Sequence, residues 1–442
     1  MPDKLAVVVM AGGLGTRMQS ETPKHLHPLL GRRMVDWVIE TVRSLEPDRL
    51  VVVASPETAQ ALDGLEVAVQ ERPLGTGDAV RSAQGALQGF EGDVLVVNGD
   101  VPALRTGVLH ELVEVHRRQQ ADATVLSFEP QDPRHYGRIV RNGEHVLKIV
   151  EAADASAEER GLREVNSGMY VFRSEPLWPL LERIEARNKQ GEFYVTDAVG
   201  LLVQDGRTVA VHKALDPVEA EGVNTRAELA AAAALLRDRI NERHMLAGVT
   251  IVDPRSTWIE DSVVLEADSV VHPFTVLRGQ TRVARGAEIG PHAVAVDAQL
   301  GPGTLVGPFC YLRPGTVLGA DSKAGAFVEI KNSSVGEGAK VPHLSYIGDA
   351  EIGDGSNIGA GAITANYPHD PDLPKERTTI GRNVRTAVHN AFVAPVEIGD
   401  DSWTAAGSVI TDDVPPGSLA GFAPRQVTKE GYVRAKRDDG DD

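Results

Sequence analysis

Over residues 1–225, short apolar runs alternate with stretches in which apolar residues recur three and four positions apart. Leu5–Met10, Leu50–Val53, Val94–Val97 and Ala123–Ser127 are runs of the first kind and predict strands. Met34, Val38, Ile39, Val42 and Leu45 fall on one side of a helical wheel and predict a helix over Met34–Leu45. Strands alternating with helices in this way argue for an α/β domain with a mainly parallel sheet covered on both faces. The run from Thr225 to Leu246 is rich in Ala, Leu, Arg and Glu, with no Gly or Pro to interrupt it. It predicts a long connecting helix over 226–248.

From Val249 the period changes to six. Ile259, Leu265, Val271, Leu277, Val283, Ile289 and Ala295 form one series, and Leu300, Val306, Leu312, Leu318, Ala324 and Ile330 the next. Val335, Val341 and Ile347 follow, then Ile352, Ile358 and Thr364, with a slip of one residue between series. Neither a helix nor a hairpin has a reason for this spacing. One side of a three-sided coil does: a short strand with one aliphatic residue pointing inward, then a corner at which Gly supplies positive φ. Residues 249–432 therefore read as a parallel β-helix of hexapeptide repeats. Residues 433–442 end in Lys-Arg-Asp-Asp-Gly-Asp-Asp, seven residues with no apolar side chain, and read as a disordered acidic tail.

A chain of 442 residues with 42% hydrophobic content is long enough for two or three cores. Its net charge of −18 argues against nucleic-acid partners. The single cysteine, Cys310, excludes an internal disulfide and fits a reducing compartment. The first apolar run is too short for a signal or a membrane span, so no membrane association and a cytoplasmic location are expected.

Chemistry concentrates in two places. The first strand leads into Met10-Ala11-Gly12-Gly13-Leu14-Gly15-Thr16-Arg17, followed by Pro23-Lys24. Glycines let a backbone approach a phosphate chain and aim N–H groups at it. Arg17 and Lys24 add charge to hold a triphosphate or a departing pyrophosphate. Asn98-Gly99-Asp100 closes another strand, where ligands bind in open α/β sheets. Asp100 either anchors Mg²⁺ or merely caps a turn. In the coil, Arg313 and Lys331 are eighteen residues apart and stack on one face as an anion site. His343 is the natural general base for an amine attacking a thioester. At twelve and fifteen residues from Lys331, His343 and Tyr346 are expected on an adjacent face or a neighbouring subunit.

These motifs, with Leu74-Gly75-Thr76-Gly77, Tyr136-Gly137-Arg138 and Glu221-Gly222-Val223-Asn224, resemble the sugar-1-phosphate nucleotidylyltransferases. Over residues 4–432 the chain is similar to the bifunctional N-acetylglucosamine-1-phosphate uridylyltransferases/glucosamine-1-phosphate acetyltransferases. The resemblance implies a Rossmann-like nucleotide-diphospho-sugar transferase domain, a connecting helix and a left-handed parallel β-helix. It implies that Met10, Ala11, Gly12, Gly13, Asn98 and Gly99 contact substrate, with Gln70, Gly75 and Thr76 reading the uracil of UTP. Gly137, Glu151 and Asn166 would hold N-acetylglucosamine-1-phosphate, and Asp100 with Asn224 would hold Mg²⁺. In the coil, Arg313, Lys331, Tyr346 and Asn357 would bind glucosamine-1-phosphate, with His343 as base. Ala360, Asn366, Tyr367 and Ala406 would line the acetyl-CoA site, and a homotrimer is implied.

The sequence departs from the family pattern at Ala152-Ala153, at Ala387-Val388 and at Ala423 with Arg425, and the loop from Pro368 to Pro374 is long. A monofunctional nucleotidylyltransferase whose coil only assembles subunits would explain the donor-side departures, but not the cluster around His343. A non-catalytic regulatory subunit would be expected to lack some of Arg17, Lys24, Asp100 and Asn224, and all four are present.

Overall fold

The computed structural model describes residues 4–430 except 14, 134, 135, 144, 369, 371, 423–425 and 427. The chain divides into two compact units after Leu236. In the first, the strand Leu5–Ala11 is buried at every position. It lies between Asp93–Asn98 and Arg49–Ala54, parallel to both. Glu66–Val69 extends the sheet beyond Arg49–Ala54. On the other side, Val165–Arg173 runs antiparallel between Asp93–Asn98 and Ala123–Phe128, and Val209–Lys213 forms the far edge. The sheet is therefore mixed, with one reversed strand in an otherwise parallel order. A hairpin, Arg138–Asn142 with His145–Val150, hangs from it through Val165 and Arg138.

Alternate residues of the first strand face opposite cores, as a pleat requires. Ala6, Val8 and Met10 join one buried cluster, while Leu5, Val7, Val9 and Ala11 join the other. Continuous apolarity along this strand thus encodes burial on both faces. The helix Met34–Arg43 is shorter than the apolar period predicts, since the chain caps at Ser44.

The helix Arg226–Leu246 contains the division between the units. On the first unit, Leu236 packs with Leu29, Met34 and Val223. On the second, the buried Asn241 donates through Nδ2 to Pro254 O at 2.8 Å and Thr257 O at 3.1 Å. The helix ends where Gly248 takes φ +94° and the Val249 N–H turns back to His244 O.

Among the described residues, the second unit is a parallel β-helix with three long sheets of six, nine and eight strands and a further pair, Trp403–Thr404 with Leu419–Ala420. Every aliphatic residue of the six-residue series is buried, from Ile259 at 0% to Leu265 at 8% exposed. Each one-residue slip in the series is a shortened coil: Arg282 pairs with Gln299, seventeen residues on, where Trp258 pairs with Val276, eighteen on. One coil is lengthened instead: Ile363 pairs with Ala391, twenty-eight residues on, because the loop after Tyr367 bulges out of it.

One corner carries bulky side chains where the other two use Gly, Asp or Asn at positive φ. Phe274, His292, Phe309 and Phe327 hold φ between 55° and 59°, a conformation that costs non-glycine residues on the order of 1 kcal/mol each. Their rings stack in a column with centroid spacings of 4.7, 4.8 and 5.1 Å, contacts that offset the strain.

Candidate functional sites

The glycine-rich loop leaves the carboxyl end of Leu5–Ala11 and roofs a cleft of about 400 Å³ lined by Gly12, Gly13, Lys24, Gln70, Asn98 and Asp100. Gly12 is required by what lies below it: a Cβ there would stand 2.7 Å from Gln70 Oε1. Gln70 is buried and cannot easily yield, because its Nε2 donates to Gly75 O at 3.1 Å and Asp78 Oδ2 at 3.0 Å. Gly75 holds φ +113°, and Thr76 Oγ1 accepts from Val195 N–H at 3.1 Å. The three residues expected to read a base are thus joined at one wall of the cleft. Gly99 N–H donates to Met10 O at 2.8 Å, and Asn98 Nδ2 donates to Ser167 O at 2.9 Å. The Ala11 methyl lies in the core, away from the cleft.

At the floor, the Lys24 ammonium donates to both the Asp100 carboxylate and Asn224 Oδ1, the latter at 2.7 Å. Arg17 Nη2 donates to the same amide oxygen at 2.9 Å. Burial is the largest influence on the Asp100 carboxyl and would raise it, but Lys24, His25 and a backbone hydrogen bond together hold the group below its usual range. Two oxygens converging on one cationic centre are a donor set suited to Mg²⁺, which takes one or two protein oxygens and completes its shell with water and substrate phosphate. Among the described residues no cluster of three or more His, Cys, Asp or Glu side chains is arranged for a metal. His25 packs beneath Gly13 and Gly99. Burial lowers its imidazole to about 4, so it is neutral at pH 7.

The second group of predicted residues gathers at the open end of the hairpin, where Gly137 and Glu151 flank its strands and Asn166 comes from Val165–Arg173. Asn166 N–H donates to Gly137 O at 2.9 Å. The Asn166 side chain bonds the Tyr170 hydroxyl at 2.6 Å and accepts from Gly168 N–H at 3.1 Å. A Cβ on Gly137 would stand 3.4 Å from Glu151 Oε2, so Glu151 closes over it. Burial raises the Glu151 carboxyl, and Thr196 Oγ1 donates to its Oε1 at 3.2 Å.

In the β-helix, Arg313 and Lys331 occupy successive rungs of one sheet, as the eighteen-residue spacing predicts. Arg313 Nη1 also bonds Glu329 Oε1 at 2.9 Å. Tyr346 corrects the expectation of an adjacent face or another subunit, because it lies on this same sheet. The coil is one residue short here, so Lys331 pairs with Gly348 and Tyr346 sits two positions earlier, pointing to the same side. Its ring lies over Gly348, where a Cβ would stand 2.3 Å from the phenol oxygen.

His343 is exposed and stands on the neighbouring sheet, paired with Ala326. Register carries this column onward through Ala360, Val388 and Ala406, on successive rungs from His343. Asn357 is in the same sheet, beside Lys340. Asn366 is buried with its amide bonded to Asp349, while Tyr367 is 71% exposed. Ala423 and Arg425 lie outside the described residues, as do Leu14 and the tail beyond 430.

In the sequence Lys375 opens the Lys375-Glu376-Arg377-Thr378 stretch after the long loop, which resembles a Lys-x-basic-Thr pattern of the family but suggests no role for the lysine. Its ammonium lies beside that of Lys331, whose own pKa it lowers, and stands 4.8 Å from the Tyr367 ring. Arg313 and Lys331 on successive rungs and Lys375 from the loop therefore gather three cations on one face. A charged residue ending an insertion was the available signal. Thr196 and His25 gave none, since Thr and His in apolar surroundings are ordinary core residues.

Fold and sites define the class: a transferase pairing a nucleotidyltransferase unit with a hexapeptide β-helix. Residues 7–194 match the MobA-like NTP transferase domain. The chain is 44% identical over 99% of its length to proteins of Mycobacterium tuberculosis and Mycobacterium bovis named "Bifunctional protein GlmU", covering 93% of each. It is 46% identical over 98% of its length to the protein of that name from Streptomyces avermitilis, covering 94% of it. The chain belongs to the family of bifunctional GlmU proteins.

Proposed function

We propose that the chain makes UDP-N-acetylglucosamine in two steps at two separate sites. The observation that carries this reading is the likeness to bifunctional relatives across both units. At the β-helix site, Arg313, Lys331 and Lys375 hold the phosphate of glucosamine-1-phosphate, with Tyr346 and Asn357 against the sugar. The amine attacks the thioester carbonyl of acetyl-CoA, seated along Ala360, Ala406, Asn366 and Tyr367. An imidazole nitrogen of His343 takes the amine proton, the C–S bond breaks and the CoA sulfur leaves.

At the front site, Gln70, Gly75 and Thr76 hold the uracil of UTP, and the loop Met10–Gly13 with Asn98 and Gly99 flanks the nucleotide. Gly137, Glu151 and Asn166 hold N-acetylglucosamine-1-phosphate. A phosphate oxygen of that sugar attacks the α-phosphorus in line, the bond to the β-phosphate breaks and pyrophosphate leaves. Arg17 and Lys24 neutralise the charge that develops on the leaving group. Asp100 and Asn224 would hold Mg²⁺, which when bound would supply further charge neutralisation on the phosphates.

The reading includes a homotrimer and a cytoplasmic location. Support for assembly comes from the corner column, where Phe274, Phe309 and Phe327 are 48–56% exposed and Leu344 continues the apolar line at 60%. Among the described residues no helix is long and apolar enough to cross a membrane. The test supplies glucosamine-1-phosphate, acetyl-CoA, UTP and Mg²⁺, and follows free CoA and pyrophosphate separately. Both products form in equal amounts if the reading holds. Pyrophosphate from added N-acetylglucosamine-1-phosphate without any CoA release would leave only the front half.

A further inference from the structure

The expected uracil-reading loop and the expected sugar-holding carboxylate come from distant parts of the chain, yet one short segment touches both. Phe193 N–H donates to Leu74 O at 2.8 Å, and Phe193 O accepts from Gly77 N–H at 2.7 Å. Val195 N–H bonds Thr76 Oγ1, and one residue on, the Thr196 hydroxyl bonds Glu151 Oε1. The approach is close enough that a Cβ on Gly75 would stand 2.5 Å from Phe193 O.

This segment is shaped by one side chain. Asn188 Oδ1 accepts from Gln190 N–H at 3.2 Å and from Glu192 N–H at 3.1 Å. Its Nδ2 donates to Glu192 O at 2.5 Å. Next to it, Lys189 N–H reaches Asp154 Oδ1 at 3.3 Å, and the Lys189 ammonium bonds Ala153 O. Glu151 O accepts from both Asp154 N–H and Ala155 N–H, so the same turn carries the sugar-side carboxylate.

We infer that Asn188 is a positioning residue for uridylyl transfer: it folds residues 188–192 into a clasp that fixes the Gly75–Thr76 loop and the Glu151 turn relative to each other. The inference rests on the front-site assignment above. Asn188 need not touch either substrate. It acts because its three bonds hold a single short segment against both walls, and in-line attack tolerates little misplacement of the two reactants.

The test compares wild type, Asn188→Ala and Asn188→Asp by initial rates of pyrophosphate release in the full-length protein. Asn188→Ala raises KM for UTP and for N-acetylglucosamine-1-phosphate together, by about tenfold each, while CoA release at the other site is unchanged. Asn188→Asp keeps the acceptor for Gln190 and Glu192 and recovers most of both values. Hydrogen exchange supplies a readout independent of the reaction: in Asn188→Ala the amides of Gly77 and Lys189 lose protection together, although one faces each wall. A rise in only one KM, or loss of protection on only one side, overturns the clasp. If wild type itself releases no pyrophosphate, the front-site assignment fails, and the exchange result still decides whether the clasp exists.

Discussion

Lys24 Nζ donates to Asn224 Oδ1 at 2.7 Å, joining the glycine-rich loop to a residue two hundred positions later. The same ammonium bonds Asp100, so one cation fastens both oxygens proposed for Mg²⁺. Lys24→Ala leaves a buried carboxylate uncompensated and removes charge from the leaving pyrophosphate. Loss of one such preorganised charge costs about 10²–10³ in kcat. Pyrophosphate release by the variant measures it, and a rate within a factor of about two of wild type would show that Lys24 serves structure alone.

His25 predicts how the front unit responds to acid. Burial lowers its imidazole to about 4, whereas an unfolded histidine titrates near 6.5. Between those values the unfolded chain binds the extra proton, so stability falls as pH drops from about 6.5 towards 4. The full loss is on the order of 3 kcal/mol, at about 1.4 kcal/mol per unit of pKa difference. Urea unfolding of the metal-free protein at pH 7 and pH 5 reads this slope, and His25→Gln flattens it. An equal slope in the variant would place the acid sensitivity elsewhere.

Gly325 tests how tightly the coils stack. A Cβ there would stand 1.9 Å from Pro342 O, a backbone atom of the next rung. Gly325→Ala must therefore push two rungs apart and is expected to cost about 3 kcal/mol or more. The β-helix transition in a thermal melt moves down accordingly, while pyrophosphate release at low temperature persists. An unchanged melt would mean that the rungs yield freely.

Much of this was legible in the sequence, for identifiable reasons. A six-residue aliphatic period has one structural cause, so the buried stack from Ile259 to Thr364 could be read directly. The carboxyl-end positions of Gly12, Gly13 and Asp100 followed from strands that end where the motifs begin. The placement of Tyr346 was not legible, because a single missing residue in one coil changes which side chains share a sheet. Lys375 and the Asn188 clasp were hidden for a different reason. They act through loops whose return path is set by tertiary contacts, and no local period records it. At Ala152-Ala153, a departure from the family pattern, the Ala153 carbonyl accepts a hydrogen bond from the Lys189 ammonium.

The two-site account is tested most directly by replacing His343 with Ala and following both products in the same preparation. The account predicts that CoA release from acetyl-CoA and glucosamine-1-phosphate falls by about 10²–10⁴-fold, while pyrophosphate release from UTP and N-acetylglucosamine-1-phosphate stays at the wild-type rate. Parallel loss of both products, or retention of full CoA release, would contradict it.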